Sequence, residues 1–181
     1  MKFTVSQSAL QRALVVVAKG MATNSTMPAL AGIYIRAEEG TLEFQTSNLT
    51  ISIRHRIAAN VEEAGVTVVS GRLLQSIVKT LPDSAVAFDM PEGERTLSLS
   101  CGRSRFRLNT LPATDFPDFP TYELARTIEL PSTLLADMVA RVYKVTSKDA
   151  SRPILQGVLL SVEGSTLRLV ATDSYRLAVC E

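Results

Sequence analysis

Apolar residues return along this chain in two rhythms. Leu10, Ala13, Leu14 and Val17 recur at helical spacing, as do Leu73, Leu74, Ile77 and Val78, and later Leu134, Leu135, Met138 and Val142. Residues three and four apart share one side of a helix, so the pattern predicts amphipathic helices over 6–19, 70–80 and 131–144. Elsewhere the spacing is two: Ile33/Ile35, Leu42/Phe44 and Ile51/Ile53, then Val86/Phe88, Leu97/Leu99 and Phe106/Leu108. That period predicts strands with one buried face. Ser6 and Ser70 each follow a short strand pattern and precede a helix, where a hydroxyl can cap the first free amides.

The order of elements repeats. Sliding the sequence by 125 places lays Phe3–Leu49 on Ile128–Ser174 without a gap, bringing Leu10 onto Leu135, Val17 onto Val142, Pro28 onto Pro153 and Gly32 onto Gly157. A smaller echo sets Val5-Ser6, Ala9-Leu10 and Ala13-Leu14 beside Val69-Ser70, Leu73-Leu74 and Ile77-Val78. Each half-unit reads as strand, helix, then antiparallel strands, and two of them make a domain of ordinary size. The expected organisation is a complete α+β domain over 1–120, a connection over 121–125 and the first half of a second domain over 126–181. Pro112, Pro117 and Pro120 mark an extended crossover before it.

Composition excludes some classes. No apolar run is long enough for a membrane helix, and no signal-peptide core opens the chain; a cytoplasmic location and no membrane partner are the expectation. Cys101 and Cys180 have no ligand spacing around them and read as reduced core thiols. Net charge is only +1, yet it is unevenly distributed. The three helical windows hold six Lys or Arg (Arg12, Lys19, Arg72, Lys79, Arg141, Lys144) against one acid, Asp137. Flexible cations on one side of the sheets suit phosphate contacts without base readout. No aromatic residues are interleaved with them, which disfavours stacking on single-stranded bases.

Candidate chemistry is sparse. The one histidine, His55, lies between Arg54 and Arg56 and reads as an exposed strand residue. Neither metal-ligand spacing nor a Gly-rich phosphate loop is present. Asp173-Ser174-Tyr175 has no base placed for a nucleophile. The expectation is a non-enzymatic protein with no cofactor.

Two segments are highly specific. Cys101-Gly102-Arg103-Ser104-Arg105-Phe106-Arg107-Leu108, continuing Asn109-Thr110-Leu111-Pro112-Ala113-Thr114-Asp115-Phe116-Pro117, is one; Leu169-Val170-Ala171-Thr172-Asp173-Ser174-Tyr175-Arg176-Leu177-Ala178 is the other. With the opening Met1-Lys2-Phe3-Thr4-Val5 and Met27-Pro28-Ala29-Leu30, they resemble the bacterial replicative sliding clamp family, the beta subunit of DNA polymerase III. The resemblance runs over the whole chain. It implies three similar DNA-clamp (processivity-fold) domains per chain, with helices on one face and sheets on the other. It further implies that two chains close head to tail into a ring around duplex DNA. This chain would hold the first domain and roughly half of the second, with the third absent.

The resemblance also implies three sets of site residues. Arg103 and Arg105, with Phe106 and Leu108 on the opposite strand face and Arg95 on the adjacent strand, match the edge that meets the partner chain. Leu155, Thr172, Tyr175, Arg176 and Leu177 match part of the pocket that receives short peptides from the polymerase catalytic subunit, the clamp loader and other partners. Arg72 matches a DNA-facing position and Lys79 has a basic counterpart. Asn24, Asp149, Pro153 and Ile154 depart from the residues common in the family, and Lys19, Lys144 and Lys148 are expected to compensate. The reading from another class is a scaffold of repeated α+β domains that binds peptides without encircling DNA.

Overall fold

The computed structural model describes residues 1–23, 25–121, 123 and 127–181. Asn24 and most of the connection and start expected near 121–126 lie outside the described residues. The chain divides into two compact units, Met1–Tyr122 and Glu123–Glu181.

In unit 1 the first half-unit runs β1 (Lys2–Ser6), α1 (Gln7–Val17), β2 (Gly32–Glu38), β3 (Thr41–Ser47), β4 (Ser52–Ala58) and a short β5 (Asn60–Glu63). The second runs β6 (Gly65–Ser70), α2 (Gly71–Thr80), β7 (Ala85–Asp89), β8 (Thr96–Cys101) and β9 (Ser104–Leu111). Both helices start as the sequence predicts. The Ser6 hydroxyl accepts from the Ala9 amide at 3.3 Å and the Ser70 hydroxyl from the Leu73 amide at 3.5 Å. At the far end of α1, Thr46 Oγ1 donates to the Val17 carbonyl at 2.6 Å, satisfying an acceptor that the helix leaves open.

The nine strands form one antiparallel sheet in the order β4-β3-β2-β6-β9-β8-β7-β1-β5. The opening strand of each half joins the meander of the other. β6 pairs with β2 from Gly32↔Ser70 to Ala37↔Gly65, and β1 pairs with β7 from Lys2↔Asp89 to Ser6↔Ala85. One face of the sheet packs on the helices. There Leu10, Leu14, Ile35, Phe44, Leu74 and Phe88 belong to a single buried cluster, and Phe3 stacks on Phe88 with ring centroids 4.7 Å apart. The other face holds a separate cluster of Ala29, Val68 and Phe116, so Val68 and Val69 point to opposite sides as strand alternation requires.

Unit 2 is a single half-unit: α3 (Ser132–Val142), then β10 (Leu159–Glu163), β11 (Thr166–Thr172) and β12 (Leu177–Cys180) in one antiparallel sheet. Its buried core is Met138, Val142, Leu169 and Ala171. Among the described residues, no helix is long and apolar enough to cross a membrane.

Several expected core positions differ. Leu73 and Leu134 are each 46% exposed. Gln7, polar though it is, is buried, its amide reaching across to α2. Ile51 lies outside β4 and is exposed; the inward face of that strand is Ile53, His55 and Ile57. His55 is therefore half-buried rather than exposed. Cys101 and Cys180 are free thiols, the first buried and the second half-buried.

Candidate nucleic-acid interface

Two hydrogen bonds lock α1 beside α2. Gln7 Nε2 donates to the Val78 carbonyl at 2.8 Å, and Gln75 Nε2 donates to the Leu14 carbonyl at 2.9 Å. The two accepting carbonyls, Leu14 and Val78, occupy equivalent places in the two half-units, although the donors do not. The helix pair thereby offers one continuous outer surface. A shallow groove of about 360 Å³ runs along it, lined by Gln11, Leu14, Val15, Arg72, Gln75 and Lys79 among others.

Arg12 and Lys19 are exposed on and just beyond α1, and Arg72 and Lys79 on α2. None of the four lies within ion-pair distance of a carboxylate among the described residues. Buried pairing is thus not what holds them, and their charge is available to a polyanion. Val15, Val16 and Leu73 are exposed on the same pair of helices. Sequence periodicity assigned Leu73 to the core, whereas the structure leaves it 46% exposed and buries its neighbour Leu74.

In unit 2, Arg141 is exposed but pairs with Asp137 one turn earlier at 2.6 Å, so its charge is partly compensated. Lys144 and Lys148 are exposed. Asp149, beside Lys148, accepts from the Ser151 hydroxyl at 2.7 Å and from Arg152 Nε at 3.1 Å. Pro153 and Ile154 open a 3₁₀ turn, Pro153–Gln156, with Ile154 88% exposed.

The comparisons with known proteins decide the family. The family described as DNA polymerase III beta subunit, N-terminal domain, matches residues 1–120, and the central domain of the same subunit matches residues 129–181. The chain belongs to the DNA polymerase III beta subunit family. The beta sliding clamp of Micrococcus luteus is 38% identical over 100% of this chain and 57% of that protein. The Escherichia coli K12 clamp is 36% identical over 99% of this chain and 49% of that protein. A Pseudomonas aeruginosa sliding clamp bound to griselimycin superposes with a TM-score of 0.93 at 33% identity, over 99% of this chain and 49% of that one. The Bacillus subtilis clamp gives 0.91 at 33%, over 99% and 49%. The chain spans about half the length of the relatives it matches.

Against that family, the remaining predicted residues fall as follows. β9 pairs with β8 over its whole outer length, from Thr96↔Asn109 to Cys101↔Ser104, but with β6 only at Thr110 and Leu111. Among the described residues, Ser104–Asn109 thus present an open sheet edge. Arg105 is exposed on it, Phe106 is half-buried and Leu108 is buried. Two details correct the sequence reading. Arg103 sits in the tight turn before β9, since Gly102 takes φ +56°, and not on the strand face with Arg105. Arg95 precedes β8 by one residue and does not belong to it. Arg107 shares the exposed face with Arg105 and was missed as a site residue, although its alternation was visible in the sequence.

In unit 2 the turn from Thr172 to Leu177 is tightly built. Asp173 Oδ1 accepts from the Tyr175 and Arg176 amides, both at 3.0 Å, and Oδ2 accepts from Arg176 Nε at 3.0 Å. Those bonds, the Tyr175 amide first, hold the Asp173 carboxyl below its ordinary pKa. Thr172 Oγ1 donates to the Arg176 carbonyl at 2.8 Å, and Arg176 Nη2 reaches the Lys144 carbonyl at 3.2 Å. Ser174 within this turn adopts φ +77°. Leu155 is half-buried, whereas Tyr175 is 93% and Leu177 66% exposed.

One polar cluster escaped sequence reasoning. Glu43, between Leu42 and Phe44 in β3, is 5% exposed on the sheet face away from the helices. Burial opposes its charge, but hydrogen bonds from Gln45 and Arg56 and the nearby Arg54 outweigh that, so its pKa is lowered. Arg54 in turn lies 3.9 Å from the centre of the Phe119 ring, pinning the crossover segment.

Proposed function

We propose that this chain is the first domain and the opening part of the second domain of a sliding clamp that encircles duplex DNA and tethers the replicative polymerase. The observation that carries the reading is the α1–α2 surface. Four cations without an ion-pair partner lie on or just beyond two helices that are hydrogen-bonded to each other, with no metal-type cluster of side chains among the described residues. A ring holds DNA by enclosure, so contacts to phosphates can be few, weak and interchangeable, which sliding requires. Catalysis has no part in this reading, and the protein acts in the cytoplasm as a subunit serving the polymerase.

In the same reading, the open β9 edge with Arg105, Phe106, Leu108 and the adjoining Arg103 and Arg95 meets the partner chain of the ring. Leu155, Thr172, Tyr175, Arg176 and Leu177 supply one side of a peptide pocket completed by other residues. The domain boundaries near 120 and 126 are part of this proposal. The test is topological. The full-length protein, loaded on nicked circular DNA, is expected to stay bound and to run off once the circle is cut. Equal loss from circle and linear DNA overturns encirclement.

A further inference from the structure

Gln7 and Gln75 place polar side chains at the contact between α1 and α2. Gln7 is 6% exposed and Gln75 is half-buried. A buried amide costs free energy unless it is bonded, so an apolar side chain would serve packing as well. The carbonyls do not require these donors either. The Val78 carbonyl already accepts from the Leu81 amide at 3.3 Å, and the Leu14 carbonyl from the Ala18 amide. What a directional bond adds is position. Apolar surfaces leave one helix free to slide along the other, whereas a donor aimed at one carbonyl selects a single setting. Gln7 is itself held, since its amide gives a second bond to Gln11 Oε1 at 3.0 Å.

That setting governs the cations. Arg12 and Lys19 are seven residues apart, and so are Arg72 and Lys79. Each pair spans about 10 Å along its helix. Gln7 bonds across to Val78 and Leu14 to Gln75, so the two helices run antiparallel. Lys79 therefore lies toward the Gln7 end of α1, and Arg72 toward the Leu14 end. A slip of one turn, about 5.4 Å, would displace one row of cations against the other by roughly half its length. Below them the contact is smooth, because Leu14 and Val78 form the apolar floor of the groove.

We propose that Gln7 and Gln75 are positioning residues for the duplex contact, holding the Arg12–Lys19 row in register with the Arg72–Lys79 row. Neither has to touch DNA to do so. This rests on the encirclement reading and adds to it the residues that set the spacing of the phosphate-binding groups.

The full-length protein carrying Gln7→Met with Gln75→Met tests it. Methionine is similarly long and unbranched but has no N–H to donate. Duplex binding is measured across salt concentrations at a temperature where parent and variant are both folded by circular dichroism. The log–log salt slope should fall in magnitude by roughly 0.9 or more, the loss of at least one phosphate contact. Arg12→Gln should then lower the slope less in the methionine background than in the parent, because its register with Arg72 is already lost. A role in stability alone would lower the melting temperature and leave the slope unchanged. Should the methionine pair not fold, Gln75→Met alone, at a half-buried position, carries the same expectation. An unchanged slope in a folded variant overturns the proposal, as do equal effects of Arg12→Gln in the two backgrounds; a parent retained on circular DNA keeps the clamp reading in either case. A parent lost equally from circular and linear DNA overturns both.

Discussion

Gly32 and Gly157 sit at equivalent places in the two units and have nearly the same backbone, φ −93°, ψ 173° and φ −98°, ψ 167°. Their surroundings are opposite. A Cβ at Gly32 would stand 2.6 Å from Val68 Cγ1 and 3.0 Å from the Val69 carbonyl, both on β6. At Gly157 the one neighbour within 4 Å is the Ile154 carbonyl, at 3.9 Å. Local structure is thus written into each half-unit, but the packing that makes a residue indispensable is supplied by the other half. In unit 1 the two halves share one core that is continuous across the pseudo-two-fold. Unit 2 forms its helix and meander with only four buried apolar residues in its main cluster.

The sharpest way to break this contrast is truncation of matched core residues. Ile35→Ala or Leu14→Ala should destabilise unit 1 by about 2–5 kcal/mol in denaturant melts, because a filled, closed core is left with a cavity. Leu160→Ala, at the position matching Ile35, should cost the single chain well under half as much. Equal losses would mean that unit 2 is covered in the same way.

Next comes the glycine pair. Gly32→Ala should cost roughly 1–3 kcal/mol, since β6 cannot withdraw from the added methyl without opening the ladder. Gly157→Ala should be close to neutral in dilute chain. A loss at Gly157 as large as that at Gly32 would mean that the two positions are equally enclosed.

A smaller effect is expected from acid. The Glu43 carboxyl titrates below its unfolded value, so its contribution to stability is present above that value and is lost as pH falls through the lower, folded one. Unit 1 should therefore lose stability on acidification below the ordinary carboxylate range. Glu43→Gln should flatten that loss, as thermal melts across the range would show. An unchanged acid profile in the variant would remove Glu43 from the account.

The smallest effects belong to the surface cations. Arg12→Gln with Arg72→Gln should leave the unfolding free energy within about 0.5 kcal/mol of the parent, as surface changes usually do. In the full-length protein the pair should also lower the salt dependence of duplex binding by roughly 0.9 in log–log slope for each phosphate contact removed. A destabilised fold would instead place these side chains in a structural role.

Much of the fold was legible from sequence, and the reason is locality. Ser6 and Ser70 announce the starts of α1 and α2 because a cap concerns residues three apart. Strand alternation predicted Leu42/Phe44 and Leu97/Leu99 as buried because side chains alternate with the backbone. The repeats exposed the half-unit plan, and the two specific segments pointed to the clamp family that the comparisons bear out. The cations on α1 and α2 could be named as well, since they occupy helix positions left over by the apolar stripe.

What the sequence could not decide depended on which distant element arrives next. Leu73 and Leu74 are adjacent and equally apolar, yet only Leu74 is buried, because helix–sheet contact selects one of them. Glu43 reads as an exposed strand residue until Arg54, Arg56 and Gln45 are seen around it. The exchange of β1 and β6 between the halves is likewise invisible to any short window, since strand pairing joins residues far apart in the chain. Sequence determined the elements and their family; tertiary structure alone decided which faces close, because burial is a property of pairs of surfaces and not of any one of them.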